Sequence, residues 1–150
     1  MNLRSFLIPV ILAFGIVASF GQTQARAVPT PAIVQGAKAT AAYAEVALKR
    51  ADIEAELESL LVEYTDEFPK VKELKYALAR IDVEATRLGS IKTADRDRAS
   101  AALGKLMVRK VEAEIGLWKL QEDYADTHPE VKRAKRKVEI YERAIKDILG

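Results

Sequence analysis

The sequence YTDEFPKVK at residues 64–72 returns about 60 residues later as YADTHPEVK at residues 124–132. The tyrosine, the aspartate, the proline, the valine and the final lysine are identical in the two copies. A weaker match extends on both sides and relates residues 38–88 to residues 98–148. A match of this length at one offset predicts that a single supersecondary unit is duplicated in the chain.

Apolar residues recur at alternating spacings of three and four throughout both copies. This spacing is typical of helices that pack in the manner of a coiled coil, and the alternation by two that strands show is missing. A basic residue interrupts the series once in each copy, at Arg50 and at Lys110. The first series is Tyr43, Val46, Ile53, Leu57, Leu60, Tyr64, Val71, Leu74, Leu78, Ile81, Ala85 and Leu88, and the second is Leu103, Leu106, Ala113, Leu117, Leu120, Tyr124, Val131, Ala134, Val138, Tyr141, Ile145 and Ile148.

Proline and glycine divide each series into two helices. Proline has no N–H and suits the first turn of a helix, so Pro69 and Pro129 should each begin one. Gly89-Ser90 should end the second helix, and Thr93 with Asp95 and Asp97 should begin the third. We therefore predict an all-α fold with helices at about 36–66, 69–88, 94–126 and 129–149, in which Asp66, Asp126 or Thr127 satisfies backbone N–H groups at the turns. Short connections between these helices predict two tandem antiparallel hairpins, at 36–90 and 91–150.

The first 27 residues have the three parts of a secretory signal peptide. Met1–Arg4 carries a positive charge, residues 6–20 are almost wholly apolar, and Ala25-Arg26-Ala27 supplies small residues at a cleavage site. The apolar run would give about 22 Å of helix, which is short of the ~30 Å core of a bilayer. We expect cleavage after Ala27 and a periplasmic or secreted protein, and a retained membrane anchor is the alternative. Residues 28–35, with two prolines, should form an extended leader.

Composition excludes several classes of function. The chain has no cysteine and one histidine, which excludes disulfides, thiol catalysis and a histidine-rich metal site. Loss of Arg4 and Arg26 with the signal peptide leaves 22 basic and 22 acidic residues. A neutral mature protein has no general attraction to nucleic acid, and a second membrane-spanning run is missing from the sequence. We therefore predict no catalytic residue, no cofactor, no metal, no nucleic-acid partner and no stable membrane span after cleavage.

A second apolar stripe should bury against something beyond its own hairpin. It consists of Val108, Val111, Ile115 and Trp118, and the first copy has a weaker version in Leu48, Ala51, Ala55 and Val62. Either the two hairpins close into a four-helix bundle, or the stripe is an interface for another chain. The bundle is favoured because a tryptophan of this kind commonly fills a core.

The turns between the helices resemble a known motif. Leu57, Leu60, Tyr64, Phe68, Pro69 and Val71, and more closely Leu117, Leu120, Tyr124, His128, Pro129 and Val131, are similar to the hairpin of the periplasmic coiled-coil region in polysaccharide co-polymerases, the chain-length-determinant proteins of bacterial exopolysaccharide export. The resemblance covers the hairpin tips alone. It implies a helical hairpin, a periplasmic location and an association with envelope or exopolysaccharide export. The chain lacks that family's two flanking membrane helices, and it has no phosphate-binding G-x-x-x-x-G-K-[ST] sequence, so neither regulation of a polymerase nor kinase activity follows.

Two further groups of residues are candidates for a functional role. Eight residues should build the hairpin tips, and the phenylalanine in the first copy indicates that His128 packs there rather than acting in acid–base or metal chemistry. A basic run on the fourth helix is a candidate contact for an acidic glycan, lipid headgroups or an acidic partner. The tips are Tyr64, Phe68, Pro69 and Val71 with Tyr124, His128, Pro129 and Val131, and the basic face is Lys132, Arg133, Lys135 and Arg136.

The pattern as a whole favours a structural role. We expect a non-enzymatic scaffold or assembly protein that binds a protein partner or a further copy of itself. A periplasmic holdase chaperone is the alternative, and it would require an exposed apolar cradle.

Overall fold

The computed structural model describes residues 40–150, and every regular element in that range is a helix. Four α-helices and one short 3₁₀ helix follow in order: α1 (Ala41–Leu61), α2 (Pro69–Gly89), the 3₁₀ helix (Thr93–Arg98), α3 (Ala101–Asp123) and α4 (Pro129–Leu149). Helix α1 packs against α2 and α3 packs against α4, which confirms the predicted all-α pair of hairpins. The predicted signal peptide and leader lie outside the described residues.

Local sequence explains where the helices begin. The hydroxyl of Thr40 accepts a hydrogen bond from the Tyr43 N–H at 3.3 Å, and that of Ser100 accepts one from the Leu103 N–H at 3.4 Å. These side chains satisfy donors that the first turn of a helix leaves free. The two prolines are the first residues of α2 and α4, as predicted.

Three predicted helix bounds are wrong. Helices α1 and α3 end at Leu61 and Asp123 instead of at 66 and 126, because the tip aromatic rings stack and the following proline holds its neighbour in an extended conformation. Residues 93–98 form a 3₁₀ helix and α3 begins at Ala101, because that polar stretch has no apolar face to pack. The first described helix begins at Ala41 with Thr40 as its cap, and the predicted start at 36 lies outside the described residues.

Helix α3 is the centre of the molecule. It packs against α1 and α2 of the first hairpin as well as against α4 of its own. Gly104 permits this approach, because a Cβ atom at that position would lie 2.6 Å from the carbonyl oxygen of Ala42. The two hairpins thus share one apolar core, which includes Val46, Ile81, Leu88, Leu103, Met107, Val111 and Ile145.

Candidate functional site

The two hairpin tips have the same geometry. The rings of Tyr64 and Phe68 stack at 4.1 Å, and those of Tyr124 and His128 stack at 4.3 Å. The two tyrosines are about 41% and 45% exposed. Below each ring pair lies a fully buried valine, Val71 in the first tip and Val131 in the second. A lysine of the following helix pairs with the aspartate of each turn, Lys75 with Asp66 at 2.7 Å and Lys135 with Asp126 at 2.9 Å. The duplication predicted from the sequence therefore extends to side-chain contacts.

The turn aspartates do not cap helices, contrary to our prediction. The carboxylate of Asp66 bonds Lys75, and that of Asp126 bonds both Lys135 and Gln121. The N–H of Glu130 instead donates to the His128 Nδ1 atom at 3.3 Å. His128 therefore has a structural contact on each side, with the ring of Tyr124 and with the first turn of α4.

Both tips lie at the same end of the molecule. Helices α2 and α3 run antiparallel, so the start of α2 lies beside the end of α3. Glu73, near the start of α2, binds Lys119 of α3 at 3.0 Å, and Tyr76 stacks on Trp118 at 5.2 Å. The exposed rings of the two tips consequently form a two-part end surface opposite the 90–100 connection.

A partly buried ionic cluster joins the two hairpins at mid-height. Lys110 of α3 contacts Glu84 of α2 at 2.5 Å, Glu114 at 3.3 Å and Glu142 of α4 at 3.2 Å. Arg80 of α2 donates two hydrogen bonds, of 2.8 and 2.7 Å, to Glu114. Three helices from two hairpins are therefore held by one set of charges.

Arg87 completes this cluster and makes it electrically neutral. It donates to both carboxylate oxygens of Glu142 at 3.2 Å and lies 3.9 Å from Glu84. Three basic and three acidic residues are then in balance, which is the condition for charges to remain ionised away from water. We call this set the ionic cluster: Arg80, Glu84, Arg87, Lys110, Glu114 and Glu142.

The pKa shifts in the ionic cluster follow from these contacts. Burial by itself lowers the pKa of Lys110, but the hydrogen bond and charge of Glu84, together with the charge of Glu114 and the hydrogen bond to Glu142, leave that pKa raised. Burial raises the pKa of Glu142, but the hydrogen bond from Lys110 and the charges of Lys110 and Arg87 leave it lowered. The two bonds to Glu114 raise the pKa of Arg80. All three groups are thus held in their charged forms.

The ionic cluster repeats a contact of the first hairpin. Arg50 lies at the equivalent position to Lys110 and binds Glu54 at 2.6 Å and Asp82 at 2.8 Å, as Lys110 binds Glu114 and Glu142. The two basic interruptions of the apolar series therefore have the same function, which is to pair across a hairpin. Glu84 was missed because nothing local in the sequence connects it to Lys110, although the matched interruptions signalled that each required an acidic partner.

The second apolar stripe packs against the first hairpin of the same chain. Val111 is fully buried, Val108 and Ile115 pack against the core, and Trp118 stacks on Tyr76. Its contacts are with the first hairpin, so the structure favours the intrachain alternative that we preferred. Of the weaker stripe, Leu48 and Val62 are exposed, by about 63% and 84%.

The predicted basic face is partly neutralised. Lys135 pairs with Asp126, and Arg133 pairs with Glu130 at 3.0 Å. Lys132 and Arg136 are exposed, and with Lys137 and Ile140 they line a shallow groove of about 350 Å³ on α4.

A larger open cleft of about 680 Å³ lies over the ionic cluster, between α2 and α4. Val83 and Val138 form part of its apolar lining. Among residues 40–150, no group of three metal-ligating side chains is close enough to hold an ion, and every helix is too short or too polar to cross a bilayer.

Comparison with known proteins adds no relative. No protein-family model, no curated protein and no solved structure matches the chain.

Proposed function

We propose that the protein is an exported, non-enzymatic scaffold or assembly protein that acts in the periplasm or outside the cell. The observation that carries this proposal is the ionic cluster, which fixes the two hairpins to each other while both aromatic tips face the same way. Two tips at a constant separation can bind two sites on one partner, so that the second contact forms within the complex and adds avidity.

The chemistry of the tips supports a protein partner. Exposed tyrosine combines a large apolar ring with a hydroxyl that can hydrogen-bond, and such residues are enriched in the centres of protein interfaces. The resemblance of the tips to those of polysaccharide co-polymerases suggests that the partner belongs to the cell envelope or to an exopolysaccharide export system.

Site-specific crosslinking in the source cell tests the role of the tips. A photo-reactive residue at Tyr64 or at Tyr124 should give one discrete crosslinked product that contains an envelope protein. The same residue at Lys92, which is exposed at the opposite end, is the matched control and should give none. Equal products from all three positions, or none from the tips, would contradict the proposal.

Export is tested separately. Fractionation should place the protein outside the cytoplasm, and mass spectrometry should find that it begins at Val28. Replacement of both Ala25 and Ala27 by Phe should leave the precursor uncut, because the peptidase requires small side chains there. A cytoplasmic protein that begins at Met1 would overturn the location.

The alternative function is that of a holdase chaperone. It predicts that a stoichiometric amount of the protein suppresses the light scattering of an aggregating, heat-denatured client. A scaffold should leave that aggregation unchanged and still give the crosslink from its tips.

A further inference from the structure

The first hairpin binds a helix of the second hairpin on one of its faces, and its contacts show what this duplicated unit can bind there. Helix α3 lies against a face of α2 and against the start of α1. The contacts that hold it there are Glu73–Lys119 at 3.0 Å, Tyr76–Trp118 at 5.2 Å, Arg80–Glu114 at 2.7 Å and Lys49–Glu112 at 3.2 Å. One face of this hairpin is thus a docking surface for the first helix of a second hairpin.

Among residues 40–150, no helix packs on the same face of the second hairpin. The offset of about 60 residues relates Glu73, Tyr76 and Arg80 of α2 to Arg133, Arg136 and Ile140 of α4. Arg133 and Arg136 are exposed, and Ile140 is about 54% exposed. The face that binds a helix in the first hairpin is therefore basic and open in the second.

Helix α1 corresponds in the same way to the docked helix α3. Glu112, Glu114 and Trp118 of α3 correspond to Asp52, Glu54 and Glu58 of α1. All three acidic side chains on α1 are exposed, and so is Leu48, which corresponds to Val108. The outer face of α1 has the position of a docking face and an acidic character.

Within residues 40–150 these two faces are open, and they are partly complementary in charge. Suppose that the internal contact between Tyr76 and Trp118 is repeated between two copies. Glu58 of one copy then takes the place of Trp118, Arg136 of the other takes the place of Tyr76, and the two side chains meet. In the same arrangement Asp52 meets Arg109, as Glu112 meets Lys49 within the chain. Opposite charges therefore coincide at two of the four positions, which favours this orientation of the two faces. At the other two positions Arg133 would meet Ser59 and Ile140 would meet Glu54.

We propose that copies of this protein associate head to tail. The outer face of α1 in one copy packs on the next copy, against its basic α4 face and the adjoining side of its α3. An assembly of any length then keeps one free face of each kind, one at each end, so the association continues into open rows instead of stopping at a symmetric dimer. The proposal is independent of what the tips bind. In a row, the tips of successive copies would form an extended array.

The sequence also indicates that this contact is weaker than the internal one. Ala47, Ala51 and Ala55 of α1 replace Met107, Val111 and Ile115 of α3, so less apolar surface is buried. Ala44 replaces Gly104, at which a Cβ would lie 2.6 Å from a backbone oxygen within the chain, so the two backbones cannot approach as closely in the contact between copies. Charge then contributes a larger share of the affinity, and the association should weaken as salt is added.

Sedimentation velocity over a range of protein concentrations tests the proposal, with protein purified from cells that express the full sequence. The wild type should show an average mass that rises with concentration at about 50 mM salt and falls at about 500 mM. The double variant Arg133→Glu/Arg136→Glu and the single variant Glu58→Lys should each weaken self-association by about tenfold or more. An equal mixture of the two should restore it, because each reversed face then finds an opposite one.

The matched control reverses one charge elsewhere. Lys92→Glu alters an exposed lysine outside both faces and should leave self-association unchanged. A wild type that is monomeric at all concentrations, or reversed variants that do not complement each other, would overturn the proposal. It would also be overturned if the Arg133→Glu/Arg136→Glu variant associated normally and lost only its binding to an acidic polysaccharide, because the basic face would then be a glycan site.

Discussion

Lys110 of α3 and Glu84 of α2 form an ion pair of 2.5 Å between the two hairpins, and each residue is more than nine-tenths buried. A charge pair taken out of water contributes little net stability by itself, because the loss of hydration offsets the attraction. It does specify an arrangement, since any sliding of α3 along α2 would leave both charges buried and unpaired. The hairpins are thus aligned by charge as well as by apolar packing.

Removal of one member of this pair should therefore be costly. Lys110→Met leaves the buried carboxylate of Glu84 without its partner, and we expect the free energy of unfolding to fall by about 3–5 kcal/mol. Urea denaturation followed by circular dichroism measures it. Arg50→Met is the matched control in the first hairpin, where the partners Glu54 and Asp82 are about half exposed, and its effect should be small.

Removal of both members should restore part of the stability. The double variant Lys110→Met/Glu84→Leu leaves two complete pairs, Arg80–Glu114 and Arg87–Glu142, so that no charge is stranded. It should be more stable than Lys110→Met alone. A double variant that loses the sum of the two single effects would show that the pair is not coupled.

The acidic members of these contacts predict a loss of stability at low pH. The pKa values of Glu142 and Glu73 are lowered in the folded protein, because the hydrogen bonds and charges of their lysine and arginine partners outweigh the effect of burial. The unfolded state therefore binds protons first as the pH falls. The stabilisation is complete above the ordinary value of 4.5 and is lost as the pH drops through the lower folded values.

Urea midpoints measured between about pH 3 and pH 7 check this dependence. The double variant Glu142→Gln/Glu73→Gln should be less stable than the wild type near neutral pH and should change less as the pH falls. Because the pKa of Lys110 is raised above its ordinary value of 10.5, its contribution should remain until the solution is strongly alkaline. A wild-type midpoint that is constant down to pH 3 would contradict the assignment.

Two glycines in α3 give a sharp comparison of packing with helix propensity. At Gly104 a new Cβ would lie 2.6 Å from the Ala42 carbonyl oxygen and 2.8 Å from the Glu45 Cβ, so Gly104→Ala should destabilise the protein by about 1–3 kcal/mol. At Gly116 nothing lies within 4 Å of a new Cβ. Gly116→Ala should stabilise it by about 0.5–1 kcal/mol, because alanine loses less backbone entropy in a helix.

Thermal unfolding of the two variants beside the wild type decides this comparison. Equal effects of the two substitutions would mean that α1 and α3 do not approach closely at Gly104. Opposite signs would establish that the hairpins meet where the geometry places them.

The hairpins could be predicted from the sequence because their signals are local. Proline fixes the start of α2 and of α4 wherever the rest of the chain lies, and the three-four spacing identifies the buried face of each helix. The ends at Leu61 and Asp123 could not be predicted in the same way. They depend on the stacking of Tyr64 on Phe68 and of Tyr124 on His128, which is a contact across the turn and not a preference of single residues.

The ionic cluster was only partly predictable. Arg50 and Lys110 stood out because each interrupts an apolar series, yet the series cannot say which acidic side chain on another helix reaches them. Glu84 lies 26 residues before Lys110, and their contact depends on which side of α2 receives α3. The tip residues were easier to identify, because the same letters recur at the same offset in both copies.

The tips provide the last prediction, which concerns the only histidine in the chain. Phe68 and His128 have equivalent positions, and each stacks on a tyrosine four residues earlier. His128→Phe should therefore keep the fold within about 1 kcal/mol and keep the tip crosslink, whereas His128→Ala loses the ring contact, which is worth about 0.5–1.5 kcal/mol. Loss of the crosslink in His128→Phe, with unchanged thermal unfolding, would show that the imidazole itself contacts the partner and that packing is not its main role.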